Sequence, residues 1–105
     1  MMTQDTIIRG TTPTIFFHFP FDVEEIEEMW LTIAQRGRDV LTKEKEDMEY
    51  DNGTFSVTLS QDETLRLDAR QKTEIQLRVK FVNGYAVASE EKHLNVDDIL
   101  KDGVI

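Results

Sequence analysis

Two histidines, three groups of charged side chains and a handful of serines are the residues with chemistry to offer. His18 lies among aromatics, and His93 follows Glu90, Glu91 and Lys92. A transition-metal site needs several convergent His or Cys ligands. With two His and no Cys, the expectation is no metal and no cofactor, with both histidines in structural or solvated roles. The carboxylates are densest at Glu24, Glu25, Glu27 and Glu28, and again at Glu44, Glu46, Asp47 and Glu49. A catalytic carboxyl needs a cleft or burial to move its pKa. Both groups sit among polar residues, so solvated faces are expected. Asp51-Asn52-Gly53 has turn chemistry and lacks the remaining ligand spacing of a calcium loop. Ser56, Ser60 and Ser89 have no Gly-x-Ser-x-Gly elbow and no nearby His. The five Gly stand singly, so no phosphate-cradling loop exists. No catalytic, cofactor-binding or metal-binding residue is therefore assigned, and the chain is expected not to be an enzyme.

The elements that carry these residues read as strands. Ile75, Leu77, Val79 and Phe81 alternate with Glu74, Gln76, Arg78 and Lys80, a half-buried strand with one wet face. Phe55, Val57 and Leu59 alternate with polar neighbours in the same way. Ile15, Phe17 and Phe19 do so beside a more apolar set, and an exposed Phe16 or Phe21 would mark an oligomer contact. Trp30-Leu31-Thr32-Ile33-Ala34 is apolar on both faces and predicts a central strand covered on both sides. Val40-Leu41-Thr42 continues after a turn.

Three dipeptides predict hairpins. Asn52-Gly53 would pair Tyr50 with Phe55 and Met48 with Val57. Arg36-Gly37 would pair Ile33 with Val40. Asn83-Gly84, as a two-residue type I′ loop, would set Val82 against Tyr85, Phe81 against Ala86 and Val79 against Ala88. The same register puts Glu90 opposite Leu77, Lys92 opposite Ile75 and His93 opposite Glu74. Charges on a core face conflict with it, so either the sheet ends there or a bulge shifts the register after Ser89. Short helical turns are predicted at 22–28, where Asp22 and Glu25 have capping-box spacing, at 60–67, where Ser60 and Glu63 repeat it, and at 97–100. The fold expected is all-β: a small antiparallel Ig-like β-sandwich of seven to eight strands with two or three short helical turns. It forms one domain over 1–105, with arms at 1–5 and 101–105.

The balance of charge narrows the partners. The 105 residues carry 12 Lys and Arg against 21 Asp and Glu, a net charge of −9. Nucleic acid and anionic membrane surfaces both demand clustered cations, so neither is expected. Residues 1–5 lack a basic segment, and no apolar stretch spans a bilayer. The product is expected in the cytoplasm when synthesised. Arg66, Arg70, Lys72, Arg78 and Lys80 gather in the second half, where they neutralise the acidic half locally or form a partner-binding stripe.

The order of motifs resembles small uncharacterised proteins of tailed phages and prophages of Gram-positive bacteria. Ile7-Ile8-Arg9-Gly10-Thr11-Thr12-Pro13-Thr14 is similar to their opening, and Leu31-Thr32-Ile33-Ala34-Gln35-Arg36-Gly37 to a strand ending in their Gln-x-Gly turn. Leu59-Ser60-Gln61-Asp62-Glu63-Thr64-Leu65 looks like their internal motif, and Glu74-Ile75-Gln76-Leu77-Arg78-Val79 with Asn83-Gly84 and Ala86–Ser89 like their last hairpin. The ending Gly103-Val104-Ile105 is also similar. The layout further resembles the β-sandwich N-terminal domain of siphophage baseplate upper proteins. The resemblance implies a non-enzymatic structural or assembly component of a tail or baseplate, located in the virion. Its partners would be other phage structural proteins or further copies of itself. Two other classes stand beside it. One is a carbohydrate-binding sandwich using Trp30 and Tyr85. The other is a small acidic inhibitor of a host enzyme.

Overall fold

The computed structural model describes residues 5–89 and 91–105. Its strands are β1 (Thr6–Ile8), β2 (Thr14–His18), β3 (Ile26–Gln35), β4 (Arg38–Glu44), β5 (Glu49–Asp51), β6 (Thr54–Thr58), β7 (Thr73–Phe81), β8 (Ala86–Ala88) and β9 (Lys92–Asp97). One α-helical turn, α1 (Gln61–Leu65), and two 3-10 turns at Val23–Glu25 and Lys45–Asp47 complete it. The fold is a small all-β sandwich. The larger sheet has the order β1-β9-β7-β3-β4, with β8 also paired to β7. The smaller sheet has the order β2-β6-β5.

The strands form where the alternation requires. Ile75, Leu77, Val79 and Phe81 point inward from β7, and Met29, Leu31 and Ile33 from β3. Ile15, Phe17, Phe55 and Val57 meet them from the smaller sheet. Each inward row is apolar because burial of apolar area drives the two sheets together. Phe17 and Phe55 stack with ring centroids 5.5 Å apart, and Phe19 lies edge-on to Phe55. Ser60 caps α1 as its spacing predicts: its Oγ accepts the Glu63 N–H at 3.1 Å, and the Glu63 carboxylate accepts the Ser60 N–H at 2.8 Å.

Several details depart from the sequence reading, each for a local reason. One pair, β1 with β9, is parallel, so the larger sheet is mixed. These strands lie far apart in the chain, so no tight turn dictates their direction. The Asn52-Gly53 hairpin has both residues at positive φ and pairs Tyr50 with Phe55, as expected. Met48 follows the second 3-10 turn and stays outside that ladder. Arg36-Gly37 also forms a type I′ turn, but the register shifts between Ile33 and Ala34. Ile33 therefore meets Leu41, and Val40 is the extra residue of the bulge.

The Asn83-Gly84 loop is three residues long. Gly84 N–H donates to the Phe81 carbonyl and Phe81 N–H to the Tyr85 carbonyl. Only Gly84, at φ +95°, enters the left-handed region. The Asn83 side chain is engaged as an acceptor for Tyr85 N–H. This is a type I turn closed by a glycine bulge. Val79 thus faces Val87, and the alanines turn to the outer face opposite Arg78 and Lys80. One residue is taken up before β9, so Lys92 meets Ile75 and His93 meets Glu74. The Glu90 pairing lies outside the described residues.

The helix expected at 22–28 shrinks to the turn Val23–Glu25, and Asp22 makes no side-chain cap. From Ile26 the backbone joins β7 instead, with Ile26 opposite Phe81. The turn expected at 97–100 is absent: Asp97 ends β9, and the Asp98 carboxylate is taken by Arg9 and the Ile99 N–H. A turn the sequence reading lacked occupies Lys45–Asp47, where Glu44 and Asp47 form a capping box. The face of β3 that carries Trp30 is open, with Trp30 40% exposed. The smaller sheet covers only the opposite face, which explains why the strand is not enclosed on both sides.

Of the N-terminal arm, residues 1–4 lie outside the described residues. Asp5 is tied to the sheet through Asn95 N–H and an ion pair with Lys92. Residues 101–105 form no strand or helix. Ile105 exchanges two hydrogen bonds with the Gln61 side chain.

Candidate functional site

The residues that sequence reasoning singled out are dispersed by the fold. His18 is exposed on β2, with its ring over the Gly53 turn. His93 is exposed on β9 opposite Glu74. Among the described residues no three His, Asp or Glu side chains group as metal ligands do. Ser60 is a helix cap, and the Ser89 hydroxyl accepts the Leu77 N–H. Of the acidic groups, Glu44 and Asp47 cap one another's turn, and Glu27 lies 3.5 Å from Lys80. Pairing of β3 with β7 also sets Glu28 beside Lys80 and Trp30 beside Arg78. Part of the first acidic patch is therefore neutralised locally by the basic face of β7.

Three polar knots hold the layers. Arg9, with its side chain 13% exposed, donates from Nε to the Leu67 carbonyl and from Nη2 to the Leu65 carbonyl. Its guanidinium also binds Asp98 and, in bidentate fashion, Asp102. Hydrogen bonds to those carboxylates hold the Arg9 pKa above its ordinary value and the Asp98 carboxyl below its own, the latter helped first by the Ile99 N–H. Gly10, at φ +76°, follows because a Cβ there would meet Ile99 Cδ1 at 2.8 Å. Its N–H donates to Thr64 Oγ1, which in turn donates to the Thr11 carbonyl. The Ile-Arg-Gly-Thr-Thr-Pro opening thus folds onto α1 as a single bonded unit. In the second knot, the buried Gln35 amide bridges the Asp68 carbonyl, the Asp68 N–H and Thr73 Oγ1.

The third knot is the Lys43–Glu63 ion pair, 2.7 Å long and largely shielded from water. Burial alone would raise the Glu63 carboxyl. The hydrogen bonds from Lys43 and the Ser60 N–H outweigh it and hold the pKa below 4.5. A carboxyl depressed by folding adds stability above its unfolded pKa and loses it as the pH falls through the folded one. We expect the wild type to lose stability below about pH 4.5 in part through this group. Lys43→Met should flatten that acid limb while leaving the neutral-pH fold intact. Urea denaturation across pH 3 to 7 reads the difference, and identical acid limbs for the two proteins would refute it.

Three accessible surfaces stand apart from these knots. On the outer face of the larger sheet, a shallow groove of about 100 Å3 runs between Trp30, Arg78, Lys80, Glu28 and Ala86. Arg78 lies over the indole, 5.5 Å from its centroid. At the end where β3 finishes, Arg36, Arg38 and Arg66 line a concavity of about 600 Å3 together with Asp39 and Asp68. Arg36 is paired with Asp68 at 2.5 Å. At the end where β3 begins, Glu24, Glu25 and Glu46 are exposed near Phe21, Val82 and Tyr85. Sequence reasoning missed the arginine concavity, because Arg66 comes from the loop after α1 and the other two from the β3–β4 turn. The Arg-Gly-Arg turn was the one local signal for it.

No protein-family model matches this chain, and no curated protein matches it closely enough to count as a relative. Among the described residues no helix is long and apolar enough to cross a membrane.

Proposed function

We propose that this sandwich is a non-enzymatic structural module that assembles into a phage or prophage particle, at the tail or baseplate. The observation that supports it is how the polar chemistry is spent. Arg9, Gln35, Lys43, Glu63, Ser60 and Ser89 all bond to the framework. The accessible features are instead those of contact surfaces: Phe16 and Phe21 exposed, and Tyr85 73% exposed in the loop before β8. Large exposed aromatics near charged rims are typical of protein–protein contacts. The sequence motifs that resemble phage proteins point to the same class. The compartment in this reading is the cytoplasm during synthesis and the virion afterwards.

The test is light scattering of the pure protein over a wide concentration range, together with co-purification against the products of neighbouring genes. Self-association or capture of a tail or head protein is expected. A strict monomer at high concentration that binds none of them would overturn the proposal. A carbohydrate-binding module is a second reading, favoured by the outward Trp30. Arg78 already occupies one face of that indole, which leaves less ring for a sugar to stack on. A glycan array with no hits removes it.

A further inference from the structure

The two ends of the molecule are unlike in charge. β3 runs from Ile26 to Gln35 through the middle of the larger sheet. Its finish lies with Arg38 and Thr73, and its start with Phe81 and Lys45. At the finish, three guanidiniums line an open concavity against two carboxylates. Arg36 and Asp68 satisfy each other. Arg38 and Arg66 are exposed and make no ion pair among the described residues. At the start, Glu24 and Glu25 project from a 3-10 turn and Glu46 from another, all exposed and without an ion pair among the described residues. Apolar side chains accompany both ends: Phe21, Val82 and Tyr85 at the acidic end, and Leu100 beside the Arg9 knot at the other.

We infer that the arginine concavity takes the acidic end of a second copy of this chain, in a head-to-tail contact. The inference rests on the assembly reading and names its partner and surface. Charge complementarity selects the occupant: the same chain carries the paired guanidinium and carboxylate surfaces on opposite ends. Such a contact is heterologous, so it propagates into a ring or a filament rather than stopping at a dimer. The size of the ends sets its strength. The two shorter extents of the molecule are 27 and 19 Å, so an end face of that size buries at most about 400 Å2 per copy, half of the roughly 800 Å2 per partner in a standard interface. The contact is therefore weak between isolated copies, and the net charge of −9 opposes it further. The ion pairs fix register, while the number of contacts in an assembly supplies the stability.

The experiment uses two charge-reversed proteins, each checked for a native circular dichroism spectrum and melting transition. One carries Arg38→Glu and Arg66→Glu, the other Glu24→Arg and Glu25→Arg. Sedimentation velocity should show the wild type self-associating with rising concentration. Each variant alone should associate at least about tenfold more weakly. Mixing the two should restore association, since each retains one native end and the reversed ends match. If both variants associate like the wild type, the inference fails and the assembly reading stands on another surface. If the wild type is a monomer throughout, the inference fails as well. Capture of neighbouring gene products then decides whether the assembly reading survives. Should either reversal not fold, Arg38→Gln with Arg66→Gln, and Glu24→Gln with Glu25→Gln, read the same loss without adding charge.

Discussion

Phe55→Ala is expected to lower stability by about 3–5 kcal/mol, the largest effect of any single truncation in this core. Phe55 is 1% exposed and central to the aromatic cluster. It stacks on Phe17 with planes 7° apart, takes Phe19 on its edge, and touches Tyr50 at 4.7 Å between centroids. Truncation removes all three ring contacts and leaves a void between rigid β-sheets that cannot collapse to fill it. A domain of this size has about 5–15 kcal/mol in total. A melting temperature lower by roughly 15–30 °C is the expected readout. Phe55→Leu, which keeps most of the volume, should cost about 1–1.5 kcal/mol. Equal losses for Ala and Leu would mean that ring shape, and not filled volume, sets the stability.

The rows that build this core were legible because each answers to a local rule. The alternation of β7 needs only one buried face, and the pattern of Ile75 to Phe81 states it directly. Asn52-Gly53 fixes its own register because both residues accept positive φ. Where the reading failed, a non-local contact or a competing bond decided. Residues 22–28 carry a helical pattern, yet the pairing of Ile26 with Phe81 satisfies the backbone better than an uncapped turn. At Asn83-Gly84 the loop could close with two residues or three. The Asn83 side chain accepting Tyr85 N–H favours the longer form. That one-residue difference sets Ala86 and Ala88 opposite Lys80 and Arg78 on the Trp30 face and leaves Val87 opposite Val79, still exposed. Parallel pairing of β1 with β9 joins the two extremes of the chain, and no local signal encodes it.

The surfaces were less legible than the core. In the sequence the charge divides into an acidic group at 22–28 and a basic stretch that includes Arg78 and Lys80. The fold sets those two segments side by side, since β3 pairs with β7, and Glu28 meets Lys80 there. Polarity along the molecule comes instead from Arg38 and Arg66, brought together by the packing of the α1 loop against the β3–β4 turn. Their separation in sequence hides them from any reading by adjacency.

Arg9→Met tests whether the Ile-Arg-Gly-Thr-Thr-Pro opening is a structural lock or a contact motif. An arginine this close to the chain's surface invites a partner-binding role, but every donor of this guanidinium is used within the chain. The carboxylates of Asp98 and Asp102 are about half exposed, so their ion pairs contribute little on their own. The carbonyls of Leu65 and Leu67 matter more. They lie at the end of α1 and just after it, part-buried, and charge-assisted bonds to such groups are worth about 1.5–3 kcal/mol. Methionine keeps the apolar stem, and the variant should lose about 2–3 kcal/mol, with a melting temperature lower by roughly 10–20 °C. Arg9→Lys should recover less than half, because one ammonium cannot reach both carbonyls and a bidentate carboxylate together. Hydrogen exchange should quicken at the α1 loop and at 98–102 and stay slow in β3 and β7. An unchanged melting temperature with lost assembly would instead make Arg9 an interface residue. A coupled loss in both segments is the outcome the geometry requires, since one guanidinium is the bond they share.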